Sequence, residues 1–433
     1  MTTRCGIDRI HEFSGALAGR RLGLVTGGSG VGRDFRASIE ILKESFHLTA
    51  LLAPEHGIRG EQQGGVTIKG CVDAHSGLPV YSLFADAIDT TSASPLAKLY
   101  MPPKEALDRV DAIVVDIQDV GCRYYTFPST LFYVMKACAA AGKECVVLDR
   151  PNPIGGAVEG NTHRDENLSF IGLTRVPIRH GMTLGELGRF YQGRYGLDCA
   201  LTVIPVDGWN RAMFFDETGL PKICPSPNLP NLDAALLYSG TCMLAGTNVS
   251  DARGTTRPFE MVGAPYIEPF ALKEALDELR LPGLAFSVAF FIPSFFKYPG
   301  EVCAGVQIHV LDKRAVRPVA LGVHLIDVIR RLWPRDFAFR PPQPGGRYHI
   351  DIESGTDEVR LGQKTPEDIL AGWAQEAEAF LPVRDRYGLY DEAPGVTARY
   401  DPSCIETIPP SRDCRTGRTA ACPHSPVPWR SPG

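Results

Sequence analysis

A carboxylate and an imidazole, Glu55 and His56, directly follow an apolar run that ends at Pro54. Proline cannot donate to a sheet ladder, so the run predicts a strand that stops there. Gly57 and Gly60 then allow the chain to bend closely around a ligand. An acid beside the end of a parallel strand is a candidate general acid or base. The competing interpretation is a surface loop with a solvated glutamate and a capping histidine.

A dense group of polar and aromatic residues follows a second apolar run, 112–117. Aromatic faces stack on sugar rings, while amide, carboxylate and guanidinium groups hydrogen-bond hydroxyls, so this mixture suits a sugar site. Alternatively, the aspartate in it caps the next helix and the tyrosines belong to the core. The candidate binding or catalytic residues are Gln118, Asp119, Arg123, Tyr124, Tyr125 and Thr126.

Further along the chain, Glu159 lies between turn glycines, and Asn152 follows the predicted strand 144–148. Glu159 is either a second carboxylate near the first site or an exposed loop acid. Arg179 and His180 immediately precede a predicted helix, whose free N–H groups together with an arginine suit an anion. A structural ion pair is the alternative for Arg179.

Hydrogen-bonding side chains are also concentrated in the loop-rich region 223–265, which lacks a clear period. Long segments of this kind are usually functional or disordered, and the interspersed apolar residues favour function. Asn228, Asn248 and Arg253 are candidates there for contacts with a polyhydroxylated ligand, although they could equally be plain turn residues.

Alternating strand-like and helix-like segments must position these residues. Short β-branched runs alternate with segments whose apolar residues recur at helical spacing. This pattern predicts an α/β fold with a doubly wound parallel sheet over residues 1–265. A smaller α+β domain is predicted over 266–393, and the Pro- and Arg-rich segment 394–433 is predicted to be a disordered tail. The predicted strands are 21–26, 48–53, 112–117, 144–148 and 201–206, and the predicted helices among them are 34–44, 130–141 and 183–195.

Composition limits the classes of partner. The 433 residues are 44% hydrophobic and 22% charged with a net charge of −5, which is typical of a globular protein and argues against nucleic acid or an anionic membrane. The N-terminal residues lack the apolar run of a secretory signal, so none is expected, and the 12 cysteines form no C-x-x-C pair. We therefore expect a reducing, cytoplasmic setting and no metal site.

The glycine-rich segment 27–32 follows a strand and precedes a helix, as phosphate-binding loops do. The dinucleotide fingerprint fails because Arg33 stands where its third glycine should be, and the P-loop pattern fails at Arg33 and Asp34. A tight strand-to-helix turn is therefore expected, with no nucleotide cofactor.

Assembled in order, these motifs resemble the NamZ-type exo-β-N-acetylmuramidases from about residue 6 to residue 390. Many long motifs in a fixed order make the resemblance specific. They are APEHGIRG (53–60), PVYSLF (79–84), DIQDVGCRYYTF (116–127), LDRPNP with GGAVEG (148–160), PIRHGMTLGE (177–186), SPNLP (226–230), GTNVSDARGTTRPFEMVGAP (246–265) and KYPGEVCAGVQIHV (297–310).

The resemblance implies a Rossmann-like catalytic domain, a smaller C-terminal domain and release of N-acetylmuramic acid (MurNAc) from the non-reducing end of peptidoglycan-derived glycans. It implies Glu55 as a catalytic residue. Glycoside hydrolysis usually needs a second group, for which Glu159, Asp119 and the 2-acetamido group of the sugar are the alternatives. Substrates would be MurNAc-GlcNAc or muropeptide glycans, without a cofactor. For the lactyl carboxylate of MurNAc, Arg123 and Arg179 are the expected partners, because an arginine fork suits a carboxylate.

The chain departs from the family pattern at several points. Ala245 stands where the family is expected to have a glutamate, Ala252 replaces a usual glycine, and the segment 85–101 looks inserted. The loss of a carboxylate keeps open a non-catalytic muropeptide-binding protein as the alternative function. A nucleotide-dependent Rossmann enzyme is disfavoured by the broken glycine fingerprint.

Overall fold

The computed structural model describes residues 2–84, 100–343 and 345–392. Most of the predicted insertion at 85–101 and the whole predicted tail at 394–433 lie outside these ranges. None of the helices within them has the length and apolar character that a membrane crossing requires.

Seven strands of the described residues form one sheet. Six are parallel to their neighbours, and one short edge strand is antiparallel. They are β1 (Arg21–Thr26), β2 (His47–Ala53), β3 (Cys71–Val72), β4 (Pro79–Ser82), β5 (Ala112–Asp116), β6 (Glu144–Leu148) and β7 (Ala200–Ile204).

The strand order is β3-β4-β2-β1-β5-β6-β7, so the chain reverses its direction across the sheet between β1 and β5. In open α/β sheets, ligands bind beyond the carboxyl ends of the strands at such a switch point. The residues after β2 and β5 therefore lie at this ligand-binding edge.

Side chains of β5 alternate between two hydrophobic clusters. Ile113 and Val115 belong to one cluster, with residues of α3 (Phe127–Ala141) and α4 (Leu184–Tyr195). Val114 belongs to the other, with residues of α1 (Ser38–Ser45). The sheet is thus covered on both faces, which confirms the predicted α/β fold and explains why its strands read as continuous apolar runs.

The C-terminal part contains a three-stranded antiparallel sheet in the order β8-β10-β9 and most of the remaining helices. The strands are β8 (Met261–Ala264), β9 (Leu284–Phe291) and β10 (Cys303–Val310). The other helices are α2 (Lys104–Leu107), α5 (Leu232–Thr241), α6 (Pro269–Glu278), α7 (Pro318–Leu332), α8 (His349–Ser354), α9 (Glu358–Leu361) and α10 (Pro366–Arg386). Short 3-10 helices span Gly6–Ala16, Asp165–Asn167, Phe215–Glu217 and Cys242–Gly246.

Helices α5 and α7 cross at two glycines. A Cβ atom on Gly240 would lie 1.7 Å from the carbonyl oxygen of Pro318, and one on Gly322 would lie 2.4 Å from the carbonyl oxygen of Gly240. Only glycine permits this approach of the two backbones. The crossing fixes α5, which borders the candidate site, against the C-terminal helices.

Three sequence expectations differ from the structure. The helix predicted at 34–44 begins only at Ser38, because Phe35 has a φ of 64° and is 68% exposed. The region 223–265 is not wholly irregular, since it contains α5 and β8. A boundary at residue 265 would also separate β8 from β10, with which it pairs.

Candidate active site

Glu55 follows β2 directly and is held by hydrogen bonds from two different segments. Its Oε1 accepts from the backbone N–H of Gly65 at 2.7 Å, and its Oε2 accepts from the Thr126 hydroxyl at 2.6 Å. Thr126 lies immediately before α3, so the segments after β2 and β5 meet at this carboxylate. The side chain is half-buried, which gives a positioned acid access to a ligand.

The turn that presents Glu55 is conformationally strained. The N–H of Gly57 donates to the carbonyl of Pro54 at 3.1 Å, and His56, at the third position of that turn, has a φ of 76°. A non-glycine residue in the left-handed region costs about 1–2 kcal/mol. His56 is buried, and its Nδ1 lies 2.9 Å from the carbonyl oxygen of Gln62. Strain of this kind clusters at functional sites, where the surroundings enforce it.

Tyr125 and Tyr238 lie near Glu55 but are buried in the hydrophobic core, at 5% and 9% exposed. Their ring centroids lie 6.2 Å apart at 87°, and the ring of His56 stacks on Tyr125 at 6.3 Å. Burial, followed by the charges of Glu55 and Asp119, raises the pKa of Tyr125 well above its ordinary value. Burial likewise raises the pKa of Tyr238, so both phenols stay protonated at neutral pH.

Asp119 follows β5, interacts electrostatically with Tyr125 and is 4% exposed. Its Oδ2 accepts from the N–H of Gly121 at 2.9 Å and lies 3.3 Å from Nε2 of the buried His180. Its Oδ1 has no hydrogen-bond partner among the described residues. Asp119 and His180 thus form a buried pair at the edge of the sheet that carries Glu55.

Arg253 is held rigidly in the loop between the 3-10 helix Cys242–Gly246 and β8. The buried Asp251 accepts from its Nε at 3.1 Å and from its Nη2 at 2.7 Å. The guanidinium carbon lies 3.9 Å above the ring of Phe296 and 5.5 Å from that of Phe259, which itself packs on Tyr238 at 4.9 Å. Burial disfavours the charged guanidinium and by itself lowers the pKa of Arg253. The interactions with the Asp251 carboxylate have the larger combined effect, so the pKa is raised.

The arginines expected to bind a lactyl carboxylate are occupied elsewhere. The guanidinium of Arg123 is buried and donates to four carbonyl oxygens, and burial lowers its pKa to about 10. Those carbonyls belong to Asn161, Val176, Glu353 and Ser354. Arg179 is equally buried, and its Nη2 donates to the carbonyl of Ile154. Both side chains therefore connect loops in the interior, which corrects the expectation that they reach a substrate.

Glu159 occupies a different place from Glu55. Its Oε1 accepts from the N–H of Ala320 in the first turn of α7, at 3.0 Å. It lines a cavity of about 360 Å³ with Arg317 and Trp373, and no contact among the described residues joins it to Glu55. Burial raises the pKa of Glu159, while Arg179 partly opposes the shift. This residue is neither an exposed loop acid nor a neighbour of the candidate catalytic carboxylate.

The remaining candidates divide between structural and surface roles. Gln118, Tyr124 and Asn152 are buried and hydrogen-bond backbone carbonyls. Asn248 joins two loops, since its Nδ2 donates to Asp336 and its Oδ1 accepts from Tyr266. Asn228 lines an open groove and donates to Oε1 of Gln63 at 2.7 Å.

Several neighbours of the site were absent from the sequence-based set. Tyr238 lies on α5, whose residues from Ala234 to Thr241 are all buried and give no amphipathic period. Lys297 donates to the carbonyls of Leu244 and Val249, and burial lowers its pKa to about 8. The start of the motif KYPGEVCAGVQIHV was the available signal for Lys297, whereas nothing in the local sequence marked Tyr238.

The glycine turn after β1 packs on the segment that follows Glu55. A Cβ atom on Gly28 would lie 2.7 Å from the carbonyl oxygen of Arg59, and one on Gly30 would lie 2.0 Å from the Thr26 hydroxyl. Gly28 therefore permits the close packing of two loops at the switch point, and Gly30 permits the tight turn after β1.

Comparisons with known proteins agree with this architecture. Family models described as "Exo-beta-N-acetylmuramidase NamZ, N-terminal" and "C-terminal" match residues 22–233 and 236–390. A curated relative from Bacillus subtilis (strain 168), named peptidoglycan beta-N-acetylmuramidase NamZ, is 38% identical over 395 residues, covering 89% of this chain and 91% of the relative.

Two crystal structures of DUF1343 family proteins from Bacteroides fragilis NCTC 9343 share the fold. The first matches with a TM-score of 0.80 at 33% identity, and the match covers 90% of this chain and 99% of the other protein's chain. The other has a TM-score of 0.71 at 29% identity and covers 91% and 100%, respectively.

Proposed function

The chain belongs to the NamZ family of exo-β-N-acetylmuramidases, and on that premise we propose that it is a glycosidase that releases MurNAc from the non-reducing end of peptidoglycan-derived glycans. The observation that carries the proposal is the placement of Glu55. A half-buried carboxylate, fixed by Gly65 and Thr126 beside two tyrosines, suits proton transfer at a glycosidic oxygen.

In this proposal Glu55 is the catalytic acid or base, and the buried rings of Tyr125 and Tyr238 pack behind it as part of the core. The hydrogen bond from Thr126 fixes the Oε2 atom, so the carboxylate loses little entropy when it reaches the reacting atoms. His56 supports the strained turn through its contact with the carbonyl of Gln62.

The second catalytic function is assigned to Asp119 or to the 2-acetamido group of the substrate, and Glu159 is set aside because it lies against α7. Asp119→Asn distinguishes the two. A fall in kcat of about 10²–10⁴-fold with an unchanged melting temperature supports Asp119. A nearly unchanged kcat supports the acetamido group.

We assign recognition of the lactyl carboxylate to Arg253. Asp251 and Phe296 hold its guanidinium in place, and the side chain is 20% exposed. Among the described residues, its Nη1 makes no hydrogen bond within the protein. A preorganised arginine with a free donor edge suits a carboxylate.

The direct test is incubation of the purified protein with MurNAc-GlcNAc, followed by mass spectrometry. Free MurNAc and GlcNAc are the expected products. Binding of the disaccharide without turnover would instead support a muropeptide-binding protein.

We also propose that the protein acts in a reducing, cytoplasmic compartment. Cys138, Cys145 and Cys199 are buried side by side and are free thiols. Neighbouring thiols remain reduced in such a compartment.

A further inference from the structure

An open groove of about 780 Å³ lies between the loop that follows Glu55 and the sheet β8-β10-β9. This volume is within the range of ligand sites, about 300–1,000 Å³. Polar side chains of Gln63, Asn228 and Arg257 line one part of it, and Phe290 and Ile292 line another. The groove therefore combines hydrogen-bonding groups with apolar faces, as a carbohydrate site requires.

The groove shares a wall with the candidate active site. Gln63, which accepts from Asn228 at 2.7 Å, precedes Gly65 by two residues, and Gly65 donates its N–H to Glu55. One short loop thus holds the carboxylate on one side and lines the groove on the other. This loop therefore separates the groove from Glu55.

The apolar part of the groove is unusually exposed. Phe290, on the edge strand β9, is 63% exposed, and Ile292, just beyond that strand, is 56% exposed. Adjacent exposed apolar side chains with a polar rim mark interaction sites. The aromatic ring of Phe290 offers a flat face of the kind on which pyranose rings stack.

Arg257 adds a cation at the rim. Its side chain is 50% exposed, and its Nη1 donates to Glu260 at 3.0 Å. No other donor of this guanidinium is hydrogen-bonded within the described residues, so the remaining N–H groups can bind a carboxylate.

We propose that this groove binds the leaving part of the glycan, which extends beyond the bond cleaved at Glu55. Sugar rings rest on Phe290 and Ile292, Gln63 and Asn228 hydrogen-bond their hydroxyl and acetamido groups, and Arg257 pairs with a carboxylate of the next muramyl residue. The inference rests on the proposed function, because it takes its ligand from the glycosidase reaction.

The test compares two substrates with the same MurNAc and different leaving groups, 4-nitrophenyl-MurNAc and the tetrasaccharide (MurNAc-GlcNAc)₂. Phe290→Ala and Arg257→Gln should each lower kcat/KM on the tetrasaccharide about fivefold to tenfold more than on the aryl glycoside, mainly through KM. Phe270→Ala, an equally exposed phenylalanine on α6 outside the groove, is the matched control and should change neither value. Equal effects on both substrates would overturn the proposal.

A binding measurement separates this proposal from the proposed function. Calorimetric titration of the Glu55→Gln protein with the disaccharide GlcNAc-MurNAc, which represents the leaving part, should give a Kd that Phe290→Ala raises about fivefold to tenfold. An unchanged Kd, or no binding, would refute the groove assignment. Failure of the intact protein to cleave 4-nitrophenyl-MurNAc would contradict the proposed glycosidase function but not the groove assignment.

Discussion

The hydroxyl of Thr126 donates a hydrogen bond of 2.6 Å to Oε2 of Glu55, although 71 residues separate the two in the chain. The contact exists because the carboxyl ends of β2 and β5 lie at the same edge of a parallel sheet, one on each side of β1. It fixes the carboxylate at the switch point, where α/β proteins bind their ligands.

Arg253→Lys is expected to weaken discrimination between MurNAc and N-acetylglucosamine substrates. Lysine keeps a positive charge beside Asp251 but loses the planar fork. A charge-assisted hydrogen bond contributes about 1.5–3 kcal/mol, so kcat/KM for a MurNAc substrate should fall roughly tenfold to a hundredfold. Steady-state kinetics with both sugars measures the effect, and any activity on the N-acetylglucosamine analogue is the internal control. Equal losses on the two sugars would show that Arg253 supports structure rather than recognition.

Arg123→Met is expected to destabilise the protein rather than alter its specificity. The substitution leaves buried carbonyls of Asn161 and Ser354, among others, without a donor. An unsatisfied buried polar group costs about 1–3 kcal/mol, so the free energy of unfolding should fall by about 3 kcal/mol or more. Denaturant unfolding measures it. A fully stable variant that no longer distinguishes MurNAc from N-acetylglucosamine would show instead that Arg123 binds the substrate.

Glu159→Gln is expected to change the pH dependence of stability without reducing kcat. Burial raises the pKa of Glu159 in the folded state above its ordinary value of 4.5. The folded protein therefore binds the proton more tightly, and this contribution to stability is complete below pH 4.5 and is lost as pH rises through the folded-state pKa. Glutamine does not titrate, so the variant does not lose stability in this way as pH rises. The difference in melting temperature, variant minus parent, should therefore increase from pH 4 to pH 7.

A flat difference in melting temperature across that range would contradict the role of burial at Glu159. A large loss of kcat in a folded Glu159→Gln protein would restore this residue as the second catalytic carboxylate.

The sequence predicted the parts of the fold that repeat a local pattern. β-branched runs predicted β5 and β6, and the helix predicted at 183–195 is α4, which begins with a capping box of Thr183 and Glu186. Helix α5 was missed because all of its residues from Ala234 to Thr241 are buried, so they carry no polar face to set a period. Its cap, Asn231, was the one local signal.

The candidate site divides in the same way. Glu55, Thr126 and Tyr125 meet because strand ends meet, which the predicted topology implies. The guanidinium of Arg123 binds carbonyl oxygens that lie 38 to 231 residues away in the sequence. No local sequence pattern encodes such partners. The expectation that Arg123 binds a ligand carboxylate was wrong, because the sequence alone could not distinguish a ligand carboxylate from a buried carbonyl as its acceptor.

The most direct test of the account is the turnover number of Glu55→Gln on MurNAc-GlcNAc. Glutamine keeps the shape of the side chain and an acceptor for Gly65 or Thr126, but it cannot transfer a proton. Glu61→Gln, an exposed glutamate in the same loop, is the matched control. We predict that kcat falls about 10²–10⁴-fold in Glu55→Gln, while its melting temperature and the activity of Glu61→Gln stay close to those of the parent protein. A correctly folded Glu55→Gln protein with nearly unchanged turnover would contradict the assignment of Glu55 as the catalytic residue.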